Sequence, residues 1–126
     1  MTATTANAEQ NKLVITPLAK TTSTITGQAI VLPQSSPEVT ATIYEIPPKT
    51  RMPPHRHPHP RYGYMLSGQL RVTNTDTGQV SDFSAGDFVV EALQQWHVGE
   101  NPGDVPLRLL VIDQAPAGTS NVEPKS

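Results

Sequence analysis

The stretch PPHRHPHPRYGYMLSG, residues 53–68, constrains this chain more than any other. Prolines at 53, 54, 58 and 60 remove backbone donors and forbid a helix there. Between them His55, His57 and His59 stand at every second position. In extended backbone, alternate side chains share a face. Three imidazoles on one face build a poor hydrophobic core and a good beginning for a metal site. The fourth histidine, His97, lies much further on in a strand-like stretch of its own. The expectation is that these two places meet in space.

The same punctuation runs through the whole chain. Thirteen prolines and eight glycines in 126 residues argue against long helices. No window keeps an apolar pattern at i, i+3, i+4, i+7 free of proline or β-branched residues. Short β-branched runs between turn signals favour an all-β domain instead. Strands are expected at Glu38–Ile46, at Gln79–Phe83, at Phe88–Ala92, at Trp96–Glu100 and at Pro106–Gln114. Tyr62–Asn74 reads as two segments that bend at Ser67–Gly68. The last strand is apolar on both faces from Leu109 to Ile112 and is expected to be buried on both sides. Leu13–Thr26 offers one or two edge strands broken by Pro17. Residues 1–12 read as a disordered tail, 13–114 as one domain and 115–126 as a C-terminal tail. About eight short strands at regular spacing imply a β-sandwich or a closed barrel.

Composition excludes several functions. Nine basic and eleven acidic residues give a formal charge of −2, with no basic run, so neither nucleic acid nor an anionic membrane is an expected partner. No apolar stretch reaches the length of a membrane span. There are no cysteines, so any metal must use histidine, carboxylate, amide or water. The polar start carries no visible signal peptide. A soluble, cytoplasmic protein is the default expectation, and a periplasmic one if a leader has been removed.

With these residues in place the chain resembles the cupin superfamily of small jelly-roll barrels, in its single-domain form. The first cupin motif reads G-x5-H-x-H-x3-E-x6-G. His55 and His57 take its histidine places and Gly68 its final glycine. The second reads G-x5-P-x-G-x2-H-x3-N. Gly86 opens it, His97 takes the histidine place and Asn101 the asparagine, without a gap. The motif core spans residues 49–101. The departures are specific. Lys49 stands at the leading glycine, Arg61 at the glutamate, and Ala92 and Gln94 at the proline and glycine of the second motif.

The resemblance implies a divalent transition metal (Fe, Mn, Zn, Cu or Ni) held by His55, His57 and His97, with the usual carboxylate missing. Three neutral imidazoles plus water form a legitimate open site. Two residues are candidates to replace the lost ligand. His59 follows His57 by two positions, but Pro58 and Pro60 restrict it, and a surface or supporting role is preferred. Glu91 is expected to point inward, where an unpaired carboxylate is costly, so it is the preferred fourth ligand or general base. Arg61 is expected to turn outward, away from the metal; the alternative is that it binds an anionic group of a substrate. Gln95 is a second candidate for orienting substrate. Tyr62, Tyr64 and Met65 read as barrel packing, Trp96 as a cover for the cavity mouth or as packing, and Asp87 and Asn101 as turn formers.

Two functions follow from the resemblance. One is a metal-dependent enzyme, resembling dioxygenases, decarboxylases or isomerases, that acts on a small organic acid or phenol. The other is a non-catalytic module that binds or senses a small ligand, with or without metal. The resemblance also implies a homodimer; a separate and less favoured structural alternative is that the segment before Pro33 adds a strand to a neighbouring subunit's sheet.

Overall fold

A computed structural model describes residues 11–126. The described residues contain nine strands and no helix. They are β1 (Pro37–Ile46), β2 (His55–Arg56), β3 (Arg61–Ser67), β4 (Gln69–Asn74), β5 (Val80–Ser84), β6 (Phe88–Val90), β7 (His97–Glu100), β8 (Leu107–Pro116) and β9 (Glu123–Pro124). They form two antiparallel sheets, one ordered β1-β8-β3-β6 and the other β5-β4-β7-β2-β9. The all-β expectation is met, as a sandwich of two sheets.

Period-two alternation decides what lies between the sheets. On β8, Leu107, Leu109 and Val111 are buried and Leu110 and Ile112 are only half-buried. Met65 on β3, Leu70 on β4 and Ile46 on β1 complete this core. Each such side chain contributes about 1.5–3 kcal/mol by leaving water. The expectation that the last strand is buried on both sides is therefore corrected. Its outer row faces outward because no further layer among the described residues covers the four-stranded sheet.

The same alternation sorts β3. Arg61, Gly63 and Met65 share the inner face, opposite Asp113, Val111 and Leu109. Tyr62 and Tyr64 therefore point out, opposite Ile112 and Leu110, so they pack on the outer surface and not inside the barrel. Tyr62 stacks on Phe88 with ring centroids 6.3 Å apart. Gly68, at φ 81°, turns the chain from β3 into β4, and a Cβ there would sit 2.7 Å from the Leu107 backbone.

Two further expectations are corrected. Leu13–Thr26 makes no strand; its one ladder contact is an isolated bridge between Ser23 and Ala29. Residues 23–29 instead fold against the loop before β7. Gln28 donates to the Leu93 carbonyl at 2.7 Å and accepts from the Leu93 amide at 2.9 Å. The C-terminal segment is no loose tail. β8 continues to Pro116, and β9 returns to pair Glu123 with Arg56 and Pro124 with His55. Prolines on both sides leave β2 only two residues long, and β9 supplies its second neighbour. Of the tail expected over residues 1–12, residues 1–10 lie outside the described residues.

Candidate metal centre

The histidines come together through strand pairing. His55 lies directly opposite His97 in the β2–β7 pair, so their side chains share a face. His57 follows β2 and is bridged to Leu93. The ring centroids of His55, His57 and His97 lie 4.5–4.9 Å apart. One nitrogen from each lies within 4.8 Å of the others. His57 is completely buried and His97 nearly so, while His55 is half-buried. His59 does not join them. Its backbone amide donates to Asn121 Oδ1 at 2.8 Å.

Each ring is oriented in the same way. The Nδ1 atoms lie against backbone carbonyls: His55 against Pro53 at 2.9 Å, His57 against Asn121 at 2.8 Å, and His97 against Gln95 at 2.9 Å. A carbonyl oxygen only accepts, so each Nδ1 carries the proton and donates it. The Nε2 lone pairs are then left for the cluster centre. His57 Nε2 and His97 Nε2 stand 3.1 Å apart. Glu91 Oε1 is 3.4 Å from the first and 3.6 Å from the second. Acceptors facing acceptors in a buried place call for positive charge between them. A metal at ordinary imidazole bond lengths, in tetrahedral or octahedral geometry, holds its nitrogens about 3.0–3.4 Å apart; the His57–His97 pair, at 3.1 Å, falls in that range, and the His55 nitrogen lies within 4.8 Å of both. The donor set therefore fits a divalent transition ion. The backbone carbonyls that orient the rings are the usual outer support of such a site.

Electrostatics point the same way. Burial pulls His55 down to about 4, aided by His97 and His57 and opposed by its hydrogen bond to Pro53. Its ring is therefore neutral at pH 7. Burial alone would raise the Glu91 carboxyl. A proton at the His57 and His97 Nε2 atoms, in the place a cation would take, and the Arg61 charge outweigh it, and Glu91 sits well below the usual carboxylate range.

Arg61 corrects the sequence expectation. It does not turn outward; it is 5% exposed and borders the same cavity as Glu91. Its Nε and Nη2 donate to Asp113 at 2.7 and 3.1 Å, and its guanidinium lies 5.6 Å over the Tyr44 ring. A buried charge needs such a partner. Asp113 was absent from the sequence reading. Alternation would have found it, because Asp113 continues the inward series Leu107, Leu109, Val111 and Arg61 continues Gly63 and Met65.

The cavity of about 60 Å³ lies between the sheets. Arg61, Glu91, His55 and His97 are its ionisable wall, with Tyr44 beside Arg61. Much of the rest is apolar and includes Met52, Leu70, Val72, Phe83 and Leu109. Ile25, 41% exposed, stands at the rim. Gln95 is engaged elsewhere, since its Oε1 accepts from Thr26 Oγ1 at 2.8 Å and from Asn74 Nδ2 at 3.0 Å. Trp96 covers no mouth; it packs on the outside, with the Arg56 guanidinium 4.5 Å and the Lys125 ammonium 5.5 Å from its ring centroid. Asn101 is a turn former, donating to the Ile46 and Val105 carbonyls and accepting from the Gly103 amide.

Comparison with known proteins places this architecture. No curated protein matches the chain. Among solved structures, an oxalate decarboxylase–formate complex from Lactobacillus farciminis is 28% identical with a TM-score of 0.59, covering 68% of this chain and 26% of that one. This chain thus spans about a quarter of that enzyme. The polyketide cyclase RemF from Streptomyces resistomycificus is 19% identical with a TM-score of 0.59, covering 74% of this chain and 63% of its own. An uncharacterized conserved protein with a double-stranded beta-helix domain, from Klebsiella pneumoniae, is 20% identical with a TM-score of 0.57, covering 77% and 90%. The cupin domain family matches residues 42–113, which hold His55, His57, Glu91 and His97, and with sequence motifs, two-sheet fold and family match in agreement, this chain belongs to the cupin family.

Proposed function

We propose that this cupin binds a divalent transition metal through His55, His57 and His97, with Glu91 as fourth ligand or general base, and acts as a metal-dependent enzyme on a small organic substrate. One observation carries the reading: three imidazoles whose Nδ1 protons are all spent on backbone carbonyls, beside a carboxylate 3.4 and 3.6 Å from two of their Nε2 atoms. Bound there, the metal supplies Lewis acidity and open coordination positions. The chain's own residues do the rest. The apolar walls exclude water from the substrate body. Glu91, held as the carboxylate, either ligates or accepts a proton from a substrate atom beside the cluster. Arg61, fixed by Asp113, keeps positive charge near Glu91. The likeness to an oxalate decarboxylase supports metal-assisted chemistry on a small acid as the class of reaction.

The test is elemental analysis of protein purified without an affinity metal. About one equivalent of transition metal per chain is expected, lost in His97→Ala. In Glu91→Gln, metal affinity is expected to fall roughly tenfold or more. Metal-free wild-type protein that cannot be loaded with Fe, Mn, Zn, Cu or Ni sinks the reading. Unchanged affinity and activity in Glu91→Gln removes Glu91 from it.

A further inference from the structure

Resting on the metal reading above, the geometry points to a substrate class for this site: a short molecule with an apolar body and a single anionic oxygen head. Three features of the cavity lead there.

The first is charge. The ionised side chains at the cavity are Arg61 and Glu91, and Asp113 is bonded to Arg61. One positive and two negative groups leave a formal charge of −1. A divalent cation at the histidines turns this into +1. One anionic head balances that charge, and a second one overshoots it in a place of low dielectric. The Nε and Nη2 edge of the Arg61 guanidinium is already paired with Asp113, so its charge is compensated before any ligand enters.

The second is the position of the charge. The ionisable groups are gathered at the histidine wall. Away from it the cavity meets Met52, Leu70, Val72 and Phe83, of which Met52, Val72 and Phe83 pack against the central core around Leu70; the polar groups on the remaining lining, Thr26, Asn74, Gln79 and Ser81, are uncharged. A carboxylate placed among these side chains has no charged partner and carries the cost of an unpaired buried charge. A methyl group there is welcome.

The third is size. About 60 Å³ is room for about four to six waters and is well below the roughly 150 Å³ that encloses a benzene ring. The body that fits is a few carbons long.

Butyrate and succinate isolate these effects. Both have four-carbon chains, and succinate carries a second carboxylate where butyrate has its methyl. Zn²⁺ loading of the purified chain is measured first by chelator competition. Then butyrate, succinate and octanoate are titrated calorimetrically into the Zn²⁺ protein. Butyrate is expected to bind at least tenfold more tightly than succinate, and octanoate no more tightly than butyrate. In Val72→Lys, a cation in the apolar wall is expected to shift the preference at least tenfold toward succinate, compared at Zn²⁺ loading matched to wild type. If Val72→Lys does not fold, the wild-type titrations decide alone.

The outcomes separate the two levels. A chain that takes up none of Fe, Mn, Zn, Cu or Ni overturns the metal reading, and with it the substrate class built on it; a chain that takes up another of these but not Zn²⁺ is titrated with that metal instead. A Zn²⁺ protein that binds succinate as well as butyrate, binds neither, or prefers octanoate overturns the substrate class and leaves the metal reading standing.

Discussion

Arg61 and Asp113 show how one exchange of residue type is absorbed by its neighbour. The cupin motif has a carboxylate at position 61, and this chain has a guanidinium there, 5% exposed. The compensating carboxylate comes directly across the β3–β8 pair, 2.7 Å away. Removing one partner leaves a buried charge alone. Asp113→Ala is expected to cost about 3–5 kcal/mol in urea unfolding, whereas the double replacement Arg61→Met with Asp113→Leu should recover most of that loss. A single mutant as stable as wild type would contradict the pairing. Two other exchanges leave the backbone unchanged. Lys49 and Gln94 occupy glycine places of the motif, and both hold the left-handed backbone, at φ 54° and 56°. A side chain there costs about 1–2 kcal/mol, part of which glycine gives back through its freer unfolded chain. Gln94→Gly is expected to stabilise by about 0.5–1 kcal/mol, read as a shifted denaturation midpoint. A loss of stability would mean that the Gln94 side chain does something its position does not reveal. Both the inward Arg61 and the inward Glu91 were legible from alternation with Met65 and Val89. The outward expectation for Arg61 rested on its charge alone, and charge does not fix the side of a strand.

At the scale of elements, the histidine strand is built from both ends of the domain. Prolines confine β2 to two residues, too short to hold a site by itself. β7 holds it on one side and β9 on the other. Asn121, just before β9, secures the arrangement. Its carbonyl accepts from His57 Nδ1. Its side chain accepts from the His59 amide and donates to the carbonyls of His59 and Pro60 and to Asp113 Oδ1. The carbonyl that orients His57 is thus fixed by the asparagine side chain. Asn121→Ala is expected to weaken metal binding by about 10–100-fold in chelator competition, with the β-sheet circular dichroism retained. Unaltered metal affinity would show that the main chain holds itself. Asn121 lies beyond the family match at 42–113 and 64 residues from His57. No local pattern announces such a contact, so residues 115–126 read as tail until the return of β9 is seen.

At the scale of the whole molecule, the apolar surface left uncovered is uneven. Leu13, Val14 and Ile15 are 86, 79 and 78% exposed. Along the outer face of the four-stranded sheet, Ile43, Leu110, Tyr64 and Phe88 form one row across β1, β8, β3 and β6, with Ile43 43% and Phe88 37% exposed. β1 is a ten-residue edge whose other side has no partner strand among the described residues. Long open edges and contiguous apolar surface are ordinarily covered. A second copy is the occupant that supplies both a strand for the edge and an apolar face for the sheet. A homodimer is therefore expected by light scattering at micromolar concentration, shifting to monomer in Ile43→Glu. A monomeric wild type at that concentration would refute it.

The amino-acid sequence by itself determined the all-β class, the turns, most strand positions and the three histidines. Those properties rest on proline and glycine stereochemistry, on β-branching and on motif spacing, which act within a few residues. Tertiary structure alone decided that segment 13–26 leaves the sheets, that β9 clamps β2, that the β3–β8 register sets Asp113 directly opposite Arg61, and that every histidine ring gives its Nδ1 proton to a carbonyl. Each of these depends on which distant backbone lies alongside. The question opened by the stretch at residues 53–68 is answered there: its alternating histidines do not act as three equals, because pairing with β7 brings His97 beside His55 and His57, while the chain between Pro58 and Pro60 holds His59 to Asn121 instead.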